Sequence, residues 1–262
     1  TYEEGKKIGP VDALEALWVI VRSRFTSQIH TNTGHEVLHA LSVAPRFNRW
    51  MADTIAPFAG RKILEIGSGM GNLTRQLCPR KDLYLATDLN PEYLEHLGMM
   101  FPHRPAVHIR KLDASKLCDF AALGQTVDTV VCLNVLEHIE DHLGALTSIR
   151  SVLEPDGRLI LLVPNDPRAF GTLDEALGHY RRYTPASLEA VLAETGYDLE
   201  NMLRFNRVSM PAWRFTGQVL KSTTLSPVAL GIFDKFVWLW RKIDASLPWE
   251  PTSIIAIARR RA

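Results

Sequence analysis

The spacing of apolar and polar positions changes character near residue 60. Before it, an apolar stripe at helical spacing covers 10–24, and Arg46-Phe47-Asn48-Arg49-Trp50 leads towards a first strand. After it, segments that read as strands over 62–66, 82–88, 106–113, 127–134 and 158–163 alternate with segments that fit helices over 72–78, 91–100, 115–122 and 138–153. Strands alternating with helices through short connections predict a doubly wound α/β core whose parallel sheet is covered on both faces. Local punctuation agrees. Pro91 and Pro185 sit at first helical positions, Thr184 is placed as an N-cap, and Pro155-Asp156-Gly157 is a stop and turn. The helix from Pro185 ends at Gly196, and 197–205 and 253–259 read as the last two strands.

Between those two strands lie the 47 residues 206–252, far beyond a usual connection, and inserts of that length are commonly functional lids. The insert is rich in aromatics: Trp213, Phe215, Phe233, Phe236, Trp238, Trp240 and Trp249. Leu230, Phe233, Val237, Trp240 and Ile243 recur at helical spacing, which reads first as a core-facing stripe. One or two of the aromatics walling an apolar pocket is the functional reading; membrane-surface docking near Trp238–Lys242 is a third. The expected organisation is a helical cap over 1–59, a core over 60–205, a helical insert over 206–252 and a final core strand over 253–262.

The first strand ends in an acid, Glu65, and breaks into Gly67-Ser68-Gly69-Met70-Gly71-Asn72. Glycine lets a turn reach positive φ and removes the Cβ that would block a ligand from the backbone. The second strand also ends in an acid, Asp88, followed by Leu89, where an adenosine ribose would present its hydroxyls. A dinucleotide fingerprint needs Gly-x-Gly-x-x-Gly, and Asn72 stands where its third glycine belongs. Glu65 would repel a pyrophosphate and suit a cation. The bland alternative is a tight strand–helix turn that binds nothing.

These residues resemble motif I of the class I S-adenosylmethionine-dependent methyltransferases, hydrophobic-(Asp/Glu)-x-Gly-x-Gly-x-Gly. The resemblance covers about 60–200. It implies a Rossmann-like sheet of seven strands with the last antiparallel, S-adenosylmethionine as cofactor and S-adenosylhomocysteine as product. It places Glu65, Gly67, Ser68, Gly69 and Gly71 around the methionine and sugar, and Asp88 and Leu89 at the ribose. Asp113 and Ala114, ending the third strand, fall at the adenine. Val131-Cys132-Leu133-Asn134-Val135-Leu136-Glu137-His138 is similar to the family's segment after the fourth strand, with Asn134 replacing the frequent Asp beside the methionine moiety.

A sulfonium methyl is already activated, so holding a nucleophile in line is most of the task, and a base helps when the nucleophile is a hydroxyl. His138, expected to begin the helix after the fourth strand, is one candidate base; a ring packed at a helix start is its alternative. His179 is the first choice. It lies in Gly178-His179-Tyr180-Arg181-Arg182-Tyr183-Thr184, which resembles a loop of bacterial methyltransferases related to the ubiquinone-biosynthesis O-methyltransferase group. Tyr180, Arg181, Arg182 and Tyr183, with Trp213, are the candidate substrate contacts. The arginines could clamp an anionic group bidentately, or one could pin the loop to Asp174 or Glu175.

Lys plus Arg total 30 against 29 Asp plus Glu, so no global field recruits nucleic acid, and the expected partner is a small molecule. The cysteines Cys78, Cys118 and Cys132 read as reduced core or near-core residues, and no signal-like segment or membrane-length apolar run appears, so a cytoplasmic location is expected. His35-Glu36-Val37-Leu38-His39 matches the zinc-peptidase helix, but Ser42 and Pro45 stand where the extended motif needs Gly and His. No metal ligand is therefore assigned. The expectation is O-methylation of a small, largely apolar metabolite, placed in secondary metabolism. Its rivals are carbon methylation of an isoprenoid or polyketide, cofactor binding without turnover, and the peptidase.

Overall fold

Five strands run parallel: β1 (Lys62–Ile66), β2 (Leu83–Asp88), β3 (Val107–Lys111), β4 (Val127–Leu133) and β5 (Leu153–Pro164). With β6 (Tyr197–Phe205) and β7 (Ser253–Arg260) they form one seven-stranded sheet, ordered β3-β2-β1-β4-β5-β7-β6. Only β7 is reversed, pairing antiparallel with β5 and β6. This computed structural model describes residues 44–261. Residues 1–43 of the cap expected over 1–59, and with them the His35, Glu36 and His39 motif, lie outside the described residues.

Alternate strand residues point into two apolar clusters, one on each face. Leu64, Val130, Cys132, Leu161 and Ala256 pack on one side with α5 (His142–Val152) and α7 (Pro185–Glu194). Ile63, Tyr84, Val131, Ile160 and Ile257 pack on the other with α1 (Pro45–Ile55), α2 (Thr74–Leu77) and α3 (Pro91–Met100). Arg46–Trp50, expected in the helical cap on the way to the first strand, lies inside α1, where Pro45 opens the helix. The segment expected as a helix over 115–122 is shorter, α4 (Leu117–Ala121), because its lead-in is spent on the Asp113 turn. Cys78 and Cys132 are buried, whereas Cys118 is exposed, a correction to its expected place near the core.

The sheet order reverses direction between β1 and β4, and such switch points open a crevice at the carboxyl ends of the strands. Gly67, Gly69 and Gly71 turn over the end of β1 with φ of 74°, 50° and 72°. A Cβ on Gly67 would lie 2.4 Å from Val135 Cγ2, so the glycine turn and the connection after β4 touch at this point. Gly67→Ala is expected to lose about 1–2 kcal/mol to the left-handed backbone alone. The clash adds to this, and Val135→Ala in the same chain should recover only the clash. Urea melts of the two variants read the difference.

The insert divides. Its first part, α8 (Met210–Arg214) and a π-helical turn Phe215–Val219, lies against α6 (Thr172–Leu177), with Thr172 Oγ1 donating to Gly217 O at 3.0 Å. Its second part, α9 (Pro227–Lys235) and α10 (Val237–Ile243), packs on α1, where Phe233 and Trp240 join Phe47, Trp50 and Phe205. The apolar stripe is real, but its helix breaks at Phe236.

Candidate active site

Asp88 ends β2 and binds the turn that faces it: the Gly69 N–H donates to Oδ2 at 2.8 Å and the Asn90 N–H to Oδ1 at 2.9 Å. Ser68 N–H donates to Thr87 O at 2.8 Å. The carboxylate therefore orders the glycine turn while remaining half-buried with lone pairs to spare. Glu65 is buried beneath, accepting from Thr74 Oγ1 at 2.5 Å and from the Tyr84 hydroxyl at 2.8 Å. Burial pushes its carboxyl up from the ordinary value. Its seat is a buried pin between α2 and β2, and Thr74 and Tyr84, which sequence reasoning missed, are its partners. Asp113, past the end of β3, accepts from Ser115 Oγ at 2.6 Å and pairs with Lys116 at 3.1 Å; the Ser115 bond leads in holding its pKa down. Leu89 is exposed beside Asp88, and Ala114 is buried. Asn134 is exposed at the β4 tip with φ of 53°.

Bare backbone, the half-buried Asp88 carboxylate and a positive-φ turn suit a ligand carrying hydroxyls and positive charge, and oppose a pyrophosphate facing Asp88. S-adenosylmethionine has that chemistry.

The second half of the site is built by docking a loop. Gly178, in the left-handed conformation at φ 74°, ends α6 and turns the chain into His179. Tyr180 N–H then donates to Glu137 O at 2.8 Å, and Arg181 donates to the carbonyls of Ile139 and Glu140 at 2.6 and 2.8 Å. This lays the loop on the β4–α5 connection. One expectation changes here, and of the two uses left open for the arginines the pinned one is seen. His138 does not begin a helix; it closes a 3₁₀ turn, Leu136–His138, and α5 starts at His142 with Asp141 as its cap. The guanidinium of Arg182 is buried on Asp174 Oδ1 at 2.7 Å and Asn165 O at 2.9 Å, so both arginines are spent on the protein rather than held out as a clamp. Tyr183 is buried with its hydroxyl against His142 Nδ1 at 2.9 Å, while Tyr180 is exposed. Trp213 lies over the Arg182 guanidinium at 4.9 Å, its buried indole N–H without a hydrogen-bond partner.

Asp174 Oδ1 also receives His179 Nδ1 at 2.8 Å, which fixes the ring and aims Nε2 towards Glu137 Oε1, 4.0 Å away. The His138 and His179 rings meet edge to face at 4.7 Å. One potential ligand atom from each of Glu137, His138 and His179 lies within 4.8 Å of the others. Glu137 is 1% exposed, and its Oε2 has no hydrogen-bond partner. Burial pushes its carboxyl up to about 8, and desolvation followed by the neighbouring His179 lowers His138, although an edge of that ring stays open. Sequence reasoning quoted Glu137 only as part of a motif; the signal was an acid in an otherwise apolar Val135–Leu136–x–x–Ile139 run. Arg182→Ala should cost about 3–5 kcal/mol of stability by leaving Asp174 buried without its guanidinium. Thermal denaturation of the variant measures it, and a loss under about 1 kcal/mol contradicts the pairing.

Comparison with known proteins agrees with this geometry. A family model described as a methyltransferase domain matches residues 42–201. The ubiquinone biosynthesis O-methyltransferase of Xanthomonas axonopodis pv. citri is 26% identical over 215 residues, covering 74% of this chain and 84% of that protein. An S-adenosylmethionine-dependent methyltransferase structure from Mesorhizobium loti superposes with a TM-score of 0.56 at 14% identity, over 81% of this chain and 98% of that one. The methyltransferase CalH, solved with S-adenosylhomocysteine, superposes at 0.52 with 20% identity, over 81% of this chain and 54% of that one. With a matched domain spanning the glycine turn, the acidic strand tips and the docked histidine loop, this chain belongs to the S-adenosylmethionine-dependent methyltransferase family.

Proposed function

We propose that the chain methylates a hydroxyl oxygen of a small, largely apolar acceptor. The observation that carries this reading is the oriented His179 beside the unpartnered Glu137 at the carboxyl ends of β4 and β5. When bound, S-adenosylmethionine supplies a methyl on a sulfonium, whose carbon–sulfur bond breaks as the new bond forms. In this reading Asp88 accepts from the ribose hydroxyls, Asp113 from the adenine amine, and the Gly67–Gly71 turn, with Asn134 opposite, receives the methionine and sugar. Leu89 lies beside the ribose and Ala114 flanks the adenine. The acceptor hydroxyl lies against His179 Nε2, with Glu137 and His138 beside it. Positioning alone is worth about 7–11 kcal/mol, and activating the hydroxyl adds about 10²–10⁴-fold. Trp213 on α8 walls the acceptor's apolar body, so only the first part of the insert serves as the lid. The relatives' names concern ubiquinone biosynthesis, which favours a ring hydroxyl over a secondary metabolite chosen freely.

Incubation with S-adenosylmethionine and a panel of phenols and enols, followed by mass and NMR analysis, tests the reading. An O-methyl product is expected; a methyl found only on carbon overturns the hydroxyl assignment. Among the described residues no helix is long and apolar enough to cross a membrane.

A further inference from the structure

We propose that a cleft at the carboxyl ends of β5 and β6 binds a small molecule carrying one carboxylate on an apolar body, apart from the cofactor crevice. The cleft has a volume of about 380 Å³. Asn165 and Asp166 in its wall follow β5 directly, Arg204 lies near the end of β6, and Glu250 shortly precedes β7. None of its lining residues belongs to the glycine turn or to Glu137, His138 and His179. In the sheet order, β5, β7 and β6 stand two to four strands along from β1. At the usual strand spacing that is about 10–19 Å from the glycine turn.

The acids of this wall are filled and its cations are not. Asp166 Oδ1 accepts from the Arg168 N–H at 3.1 Å and Nε at 2.8 Å, and Oδ2 from Arg168 Nη2 at 3.2 Å and Arg214 Nη2 at 2.5 Å. A carboxylate offers about four lone-pair sites, so Asp166 has none left for a ligand's donor. Glu250 takes Arg204 Nη1 on both oxygens, at 3.0 and 3.1 Å, and Asn165 Nδ2 at 3.4 Å. Arg204 gives the protein only Nη1, which leaves Nε and Nη2 free among the described residues, and Arg168 keeps Nη1. Their side chains are 46% and 78% exposed, so a ligand can reach these donors. Behind Asp166, Arg214 Nε is buried with no hydrogen-bond partner, a further unmet donor. The guanidiniums of Arg168, Arg204 and Arg214 thus outnumber the two carboxylates by one charge, which a single carboxylate cancels. A planar guanidinium also matches a carboxylate's two oxygens. Pro167 and Pro185 add rigid apolar surface beside the donors, suited to the body that bears the acid. The wall touches the acceptor half as well. Asn165 O accepts from Arg182 Nη1 at 2.9 Å, and Arg182 shares Asp174 with His179. The carboxylate held here is either the acidic end of the acceptor or a second metabolite bound beside it.

The test titrates the full chain by calorimetry with 2-naphthoate and with its neutral counterpart 2-naphthamide, with and without saturating S-adenosylhomocysteine. One naphthoate per chain is expected, bound about 10–10²-fold more tightly than the amide, the difference a charged hydrogen bond makes. S-adenosylhomocysteine should leave that affinity within twofold. Arg204→Gln and Arg168→Gln should each weaken naphthoate about tenfold. Both should keep S-adenosylhomocysteine affinity within twofold, which reports a folded chain. Glu250→Gln removes the competing acid from the same wall and should tighten naphthoate severalfold, a gain that damage to the fold does not produce. Equal binding of acid and amide, binding indifferent to both arginine variants, or naphthoate displaced by S-adenosylhomocysteine overturns the proposal. During methyl transfer, competition between naphthoate and the acceptor places the carboxylate on the acceptor, and absence of competition assigns it to a separate metabolite; both uphold the site. The binding result needs no turnover, so a chain that binds naphthoate as expected but methylates no hydroxyl has lost the acceptor reading alone.

Discussion

Asp88→Ala is expected to weaken S-adenosylhomocysteine binding by about 10²–10⁴-fold, below detection at ordinary protein concentrations. The carboxylate does two things at once. In the proposed complex it accepts from both ribose hydroxyls, and hydrogen bonds to a charged group are worth about 1.5–3 kcal/mol each. It also holds the glycine turn through the Gly69 and Asn90 N–H groups, so its removal leaves two backbone donors without their acceptor. Asp88→Asn keeps one acceptor oxygen in the same shape and should fall between the two. Calorimetry reads all three proteins. An alanine variant that binds like wild type places the ribose elsewhere.

His179→Ala is expected to leave cofactor affinity within twofold and to slow transfer by about 10²–10⁴-fold, the contribution of a positioned group that activates a hydroxyl. The split is the informative part. His179 is held by Asp174 and faces Glu137 rather than Asp88 or Asp113, so the cofactor half should not notice its loss. The fold should survive too, because Asp174 keeps Arg182 and the Gly171 N–H as partners. Single-turnover rates with saturating cofactor measure the chemical step directly. Turnover within about threefold of wild type removes His179 from the reaction.

The glycine turn and the acidic strand ends were legible because each of these features is local. Three glycines at alternate positions need a turn with positive φ, and acids at successive strand ends need only the strands to be recognised. The boundaries of β1 and β6 agree with the pattern of residues to the position. The acceptor half was less legible. His138 was expected at a helix start, yet the chain spends Asn134–Ile139 on a positive-φ residue and a 3₁₀ turn before Asp141 caps α5. The arginine pair offered two uses, and only the buried Asp174 decided between them for Arg182. The expected aromatic lid was one segment in sequence, but its halves follow different partners, α6 and α1.

By itself, the sequence determined the alternation of strands and helices, the reversed last strand that the family resemblance implies, and the adenosine-donor turn, since short-range sterics and burial period act within a few residues. Only the tertiary structure decided that Glu137 and His138 meet His179, about forty residues on. That meeting depends on β5 returning along β4 and on a loop docked by backbone hydrogen bonds, which no local pattern encodes.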